Sequence, residues 1–181
     1  MSDFLGGLAE HLRTHAVRTD GPFTLRSGAV SSWYIDARRT TFDGSGAIFV
    51  GRALLASLHP GVSAVGGMTM GADPMAMAAA ILAAQEGRAL RAFSIRKAVK
   101  DHGTGGRLVG PLRSGDAVAI LEDTTTTGAA LLEAIAVAVD SGLEVVQAIS
   151  LVDRSGGTVG AALADRAIPY RSLVALEDLG L

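Results

Sequence analysis

The sequence predicts an α/β fold in which a central, mainly parallel sheet is covered by helices on both faces. Three observations carry this. From Phe42 onward, helical and strand patterns alternate in the order α-β-α-β-loop-β-α-β-α-β, the order produced when crossover helices join parallel strands. The strand candidates are short and mostly apolar, as in DAVAIL (116–121) and EVVQAISL (144–151), the pattern of strands buried on both faces. The composition is 49% hydrophobic but only 4% aromatic. Ala supplies much of that share and Gly adds 23 residues beside it, and such small residues let helices lie close on a sheet.

Residues 3–18 place Phe4, Leu5, Leu8, Leu12 and Ala16 at helical spacing, with Ser2 and Asp3 as candidate caps. In 21–39, turn residues bracket the β-prone SSWYIDARR, which predicts one or two short strands. A helix follows over 42–58, ending before Pro60. Residues 62–66 form a short apolar run, then comes a loop, GGMTMGADP, and Pro74 suits the first turn of a helix over 75–85. A strand is expected over 89–95 and a long polar, basic loop over 97–113. The strand 116–121 leads to a helix over 128–141, with Gly142 as its stop, and then to the strand 144–151. A short helix over 161–166 and a last strand over 170–176 complete the chain. Ligands of such sheets bind at the carboxyl ends of the strands.

A length of 181 residues suits one domain, read as spanning 1–181. The formal net charge of −2 gives no global basic field for nucleic acid or an anionic membrane. Cysteine is absent, which excludes disulfides, thiolate metal sites and a cysteine nucleophile. The N-terminus has no apolar core of signal-peptide length, and the longest apolar stretches, such as 76–84, are too short to span a bilayer. A soluble cytoplasmic protein is expected. His11, His15 and His59 lack metal-site spacing, and Trp33 reads as a packing residue.

The chemistry is concentrated in AILEDTTTTGAA, 119–130. An apolar strand runs into two carboxylates, Glu122 and Asp123. A hydroxyl-rich turn with Gly128 then opens a helix. Threonine hydroxyls and free N–H groups at a helix N-terminus favour a phosphate, and Gly128 lets the backbone come close to it. The adjacent carboxylates suit ribose hydroxyls and the neighbourhood of a magnesium ion. The plainer reading is a capped helix after a strand, but one Thr or Asp serves for a cap and four threonines exceed that need. Neither GxxxxGK[ST] nor GxGxxG occurs.

This stretch resembles the phosphoribosyl-pyrophosphate (PRPP) motif of type I phosphoribosyltransferases. Three further segments narrow the resemblance to the orotate phosphoribosyltransferases: IRKAVKDHGTGG (95–106), similar to that family's catalytic loop; FTLRSGAVSSWYIDARR (23–39), similar to its N-terminal pattern; and VDRSGG (152–157), similar to its Asp-Arg stretch. Together they cover most of the chain in the right order.

The resemblance implies the type I phosphoribosyltransferase fold, with a small hood built partly from 1–40. It also implies transfer of the phosphoribosyl group from PRPP to orotate, giving orotidine 5′-phosphate and pyrophosphate in pyrimidine synthesis. Glu122 and Asp123 would hold the ribose hydroxyls. Thr124, Thr125, Thr126, Thr127, Gly128, Ala129 and Ala130 would cradle the 5′-phosphate. Arg96, Lys97, Lys100 and His102 would engage the pyrophosphate, with Lys100, His102 and Asp123 as the catalytic set. Arg26, Tyr34, Ile35, Thr126 and Arg154 would meet orotate. Arg26 stands where the family commonly has lysine, a planar fork in place of a point charge, and Ile35 stands where it often has an aromatic. The segment 66–74 lacks the lysine that some members carry there, and resembles the GADP form of another branch. Magnesium would be held mainly by PRPP, and a homodimer with shared active sites is expected.

Two other readings differ in kind: transfer to a purine or another pyrimidine base, and a non-catalytic regulator that keeps the phosphate site and binds nucleic acid. The intact basic loop 96–102 argues against the latter. Lys100→Ala is expected to cut turnover strongly while leaving the fold intact, checked by steady-state kinetics beside circular dichroism. Turnover like that of the unsubstituted enzyme would remove Lys100 from the mechanism.

Overall fold

The computed structural model describes residues 2–24, 28, 30–98 and 106–181. Among the described residues a six-stranded sheet forms the centre. It is built from β5 (Ala64–Met68), β6 (Arg91–Ile95), β7 (Leu108–Val109), β8 (Ala117–Thr125), β9 (Glu144–Asp153) and β10 (Tyr170–Val174), in the spatial order β10-β9-β8-β5-β6-β7. All neighbours are parallel except β7, which runs antiparallel to β6. The predicted alternation is therefore present, with β7 added.

Helix α1 (Ser2–His15) opens the chain, and α2 (Arg38–Thr41) and α3 (Gly44–Ser57) precede β5. Then α4 (Ala72–Gln85) joins β5 to β6, α5 (Ala129–Asp140) joins β8 to β9, and α6 (Thr158–Ala164) joins β9 to β10. Strand alternation divides the apolar residues of β8 between two cores. Ala119 and Leu121 enter one, with Leu8 and Leu12 of α1, Val50 and Leu54 of α3, and Met75 and Ala79 of α4. Val118 and Ile120 enter the other, with Leu131, Ala134 and Ala138 of α5 and Leu163 of α6.

Asp43 caps α3 by accepting from the Ser45 and Gly46 N–H groups, each at 2.9 Å. These bonds hold its carboxyl below the usual range, with the Gly46 bond the larger cause. At the rim where β6 and β8 begin, Arg91 donates twice to Asp116, at 2.7 Å each, a bidentate clamp across the intervening β5.

The 17–35 region holds two antiparallel ribbons outside the main sheet. The outer one pairs β1 (Val17–Arg18) with β4 (Tyr34–Ile35), and the inner one pairs β2 (Phe23–Thr24) with β3 (Val30–Ser31). Four two-residue strands stand where one or two were expected.

Other boundaries moved for physical reasons. Gly66 and Gly67, expected to open a loop, are buried strand residues, paired with Phe93 and Ser94 of β6 and with Ile120 and Leu121 of β8. The loop proper is Thr69–Gly71, and Pro74 lies in the first turn of α4. The segment 97–113 contains β7, and α6 begins three residues earlier than the apolar pattern suggested.

Leu12 is fully buried where α1 meets the core. Leu12→Ala is expected to cost about 2–5 kcal/mol in urea unfolding. A loss under about 1 kcal/mol would mean that α1 contributes little to the core.

Candidate active site

After β5 the chain moves to β6 on one side, and it later returns to place β8 on the other side of β5. Strand order reverses between β5 and β8, and crevices at such points are where parallel sheets bind ligands. The loop Thr69–Gly71 leaves β5 there and meets the carboxyl end of β8. A side chain on Gly71 would put its Cβ 2.7 Å from the Asp123 carboxylate, so the residue type at 71 sets how closely this loop approaches Asp123.

β8 pairs with β9 as far as Thr125–Asp153. Glu122, Asp123, Thr124 and Thr125 are therefore strand residues, and the expected hydroxyl-rich turn shortens to Thr126–Gly128. Thr125 is buried, and its hydroxyl bonds the Ser150 hydroxyl, to which the Tyr170 hydroxyl also donates at 3.0 Å. Its carbonyl accepts the Arg154 N–H at 2.7 Å. Thr125 thus anchors the turn from below. Its side chain is committed to the protein interior, whereas Thr126 and Thr127 are exposed.

Gly128 takes φ 76°, a conformation open to glycine at little cost, and a Cβ there would lie 2.6 Å from Val159. Gly128 brings no side chain to cap α5, and the Ala129 N–H reaches the Thr127 hydroxyl only at a long 3.4 Å, so the helix start stays open to an anion.

A cleft of about 840 Å³ is lined by Tyr34, Ile35, Lys97, Glu122, Asp123, Thr124, Ala129, Ala130 and Arg154 of the predicted set. A second hollow of about 760 Å³ adjoins it, lined by the run Thr124–Ala130 and sharing Tyr34, Glu122 and Arg154 with the first. Arg96 lines neither. It sits at the end of β6, where its N–H donates to the Arg107 carbonyl and its carbonyl accepts from Arg107 Nε. Arg26, Lys100 and His102 lie outside the described residues.

Several lining residues were not foreseen. Asp36 and Arg38 face the cleft as an ion pair at 2.8 Å, and Glu133 lines it while bonded to Arg107. Asp36 and Arg38 stand in the quoted stretch YIDARR, so an acidic-basic pair beside Tyr34 was a usable signal. Glu133 carried none, being one solvent-side residue of a helix. Met68, Thr69, Met70 and Gly71 complete that wall.

The carboxylates are strongly perturbed. Burial, then the neighbouring Asp123 charge and its hydrogen bond, push Glu122 up to about 8, against a smaller pull from Lys97. Burial also raises Asp123, opposed by the Thr124 N–H at 2.8 Å and by the Arg38 charge. Side by side in a concave, partly desolvated place, the two favour holding a proton between them. A cation or a pair of donor hydroxyls arriving there reverses that preference. Among the described residues no group of three His, Cys, Asp or Glu gathers as a metal cage. Two carboxylates at the cleft edge fit a hard cation whose remaining oxygens come from a phosphorylated substrate.

Arg154 lines both hollows. Its guanidinium lies 4.2 Å from the Trp33 ring centre, and its Nε is buried without a hydrogen-bond partner among the described residues. Burial lowers its pKa, though far from neutrality.

The Glu122 shift has a measurable sign. Unfolded, this carboxyl ionises near 4.5; folded, it keeps its proton to about 8. Between these values the native state binds more protons, so stability falls as pH rises through that window. Glu122→Gln is expected to flatten this slope in urea unfolding of the ligand-free protein. An unchanged slope would mean that Glu122 ionises normally.

No protein-family model matches the chain. The chain is 42% identical over 182 residues to the orotate phosphoribosyltransferase of Streptomyces avermitilis, covering 100% of both. It is 43% identical over 175 residues to that of Corynebacterium glutamicum strain R, covering 96% of this chain and 92% of the relative. The structure matches the crystal structure of Mycobacterium tuberculosis orotate phosphoribosyltransferase in complex with PRPP at a TM-score of 0.80. That match has 34% identity and covers 98% of this chain and 99% of that one. Likeness of this extent places the chain in the orotate phosphoribosyltransferase family.

Proposed function

We propose that the chain transfers the phosphoribosyl group of PRPP to orotate, giving orotidine 5′-phosphate and pyrophosphate, the pentosyl-transfer step of pyrimidine synthesis. The observation that carries this reading is the joining of three complementary parts in one cleft. These are the start of α5 after Thr126–Gly128, closed only by the long bond from the Ala129 N–H to the Thr127 hydroxyl, the carboxylate pair Glu122–Asp123, and the Arg154 guanidinium beside Tyr34, which no carboxylate among the described residues pairs. They match a 5′-phosphate, a vicinal diol and an anionic planar base.

Each part has a distinct task. The N–H groups of 126–130 and the hydroxyls of Thr126 and Thr127 hold the phosphate. Glu122 and Asp123 accept from the ribose hydroxyls and so fix the anomeric carbon. Bond breaking there builds positive charge on the ribose and negative charge on the leaving pyrophosphate. Carboxylates beneath the sugar stabilise the first, and Lys97 at the cleft edge, with Arg96, Lys100 and His102, the second. Glu122 and Asp123 are the carboxylates suited to hold a Mg2+ brought in by PRPP, which would supply neutralising charge to the pyrophosphate. Arg154 and Arg26 meet the orotate carboxylate, and Tyr34 and Ile35 bound the ring. Ile35 is itself 4% exposed and packed in the core, so it offers the ring an edge more than a face.

The proposal includes a single domain over 1–181, with the ribbons of 17–35 as its hood, a homodimer with shared active sites, and a cytoplasmic setting. Exposed Ile48 on α3, with Met77 and Ile81 one turn apart on α4, supplies apolar surface suited to a second copy. No helix among the described residues is long and apolar enough to cross a membrane.

The test is an absorbance assay mixing orotate, PRPP and Mg2+, run beside a panel of adenine, hypoxanthine and uracil. Conversion of orotate alone is expected. Reaction with only the neutral bases would overturn the assignment of the base. Binding of RNA or DNA that weakens steeply with salt, without turnover of any base, would favour a regulator.

A further inference from the structure

The base-binding side of the cleft depends on a residue that sequence reading set aside as packing. Arg154 is half-buried, yet among the described residues no carboxylate pairs with it and its Nε has no acceptor. Asp153, its neighbour in the chain, accepts from the Ser155 N–H at 2.7 Å. What the guanidinium does touch is the face of Trp33, 4.2 Å from the ring centre.

Trp33 is in turn fixed on both sides. Its ring packs against the core shared by α1, α3 and α4. Its backbone is held by Ser31, whose hydroxyl donates to the Trp33 carbonyl at 2.7 Å and accepts the Trp33 N–H at 3.3 Å. The residue after it, Tyr34, lines both hollows with Arg154.

We propose that Trp33 is a positioning residue for recognition of the anionic base: its indole face holds the Arg154 guanidinium in the cleft without neutralising it. A partly desolvated guanidinium needs a stabilising neighbour. A carboxylate would supply one but would occupy the donors and cancel the charge that orotate is to meet. An aromatic face stabilises the cation through its quadrupole and leaves the in-plane N–H donors free. The arrangement therefore selects for a ligand that brings its own carboxylate, and against neutral pyrimidines and purines. This rests on the reading of Arg154 as an orotate contact.

The experiment compares Trp33→Leu, Trp33→Phe and Arg154→Gln in the full-length enzyme, and separates that reading from the role of Trp33. Trp33 is the sole tryptophan of the chain, so intrinsic emission of the free enzyme reports the stack directly. Arg154→Gln is expected to change that emission, and unchanged emission would overturn the stack. Trp33→Leu, of comparable apolar character but without a π-face, is expected to raise the KM for orotate about tenfold. The KM for PRPP should hold. Trp33→Phe should recover most of the orotate affinity. An orotate KM unaffected by Trp33→Leu, or an equal rise in both KM values, would overturn the positioning role. A normal orotate KM in Arg154→Gln would instead remove Arg154 from base recognition, and the proposal with it, whatever the emission shows.

Discussion

Parallel pairing of β5 with β8, from Ala64–Val118 to Gly67–Leu121, fixes where everything else in the site can lie. Because the chain departs from β5 toward one side of the sheet and returns on the other, the carboxyl ends of these two strands are left uncovered by a crossover. Thr69–Gly71 bends over the end of one strand, and the carboxylates stand at the end of the other. The absence of a side chain on Gly71 brings the two within contact. A one-residue slip in this pairing would exchange the faces of Glu122 and Asp123 and remove the Asp123–Gly71 contact. The buried apolar alternation of β8, divided between two cores, is what prevents the slip.

The cleft is prepared for a charged ligand by leaving charges unsatisfied. Glu122 and Asp123 are pushed toward the protonated state by burial and by each other. The start of α5 has only the long bond from the Ala129 N–H to the Thr127 hydroxyl. The Arg154 guanidinium has an aromatic neighbour in place of an acid. Each of these is unfavourable in the empty protein, and each is relieved by a partner of opposite sign or complementary hydrogen bonding. Binding energy is thereby directed at the reacting sugar rather than dissipated in breaking internal ion pairs. The Asp36–Arg38 and Arg107–Glu133 pairs at the wall are exceptions, and the Arg38 charge opposes the effect of burial on Asp123.

Much of this was legible in the residues themselves. The helical spacing of Leu8 and Leu12, the apolar runs at 116–121 and 144–151, and the turn Thr126–Gly128 opening a helix each specify local structure strongly enough to be read without a partner. What was not legible depends on distant contacts. β8 extends to Thr125 because β9 continues beside it, although polar side chains there give no strand pattern. Two-residue strands such as β7 carry too little pattern to register, and neither does the one turn of α2. Thr125 looked equivalent to the threonines around it, and only the fold turns it inward to Ser150 and Tyr170. Trp33 looked like an ordinary core aromatic because its partner lies 121 positions away in the chain.

The Arg91–Asp116 clamp lies at the opposite rim of the sheet from the chemistry. Asp116 precedes β8 and Asp123 is near its end, seven residues on, or roughly 23 Å along an extended strand. Effects of substitutions that far apart, with no shared partners, tend to add independently. The two rims can therefore drift separately: the starting rim can gain or lose robustness to heat and denaturant as circumstances demand, while the finishing rim keeps its ionisation behaviour. A lineage adapting to a new temperature has a place to adjust that does not touch the substrate.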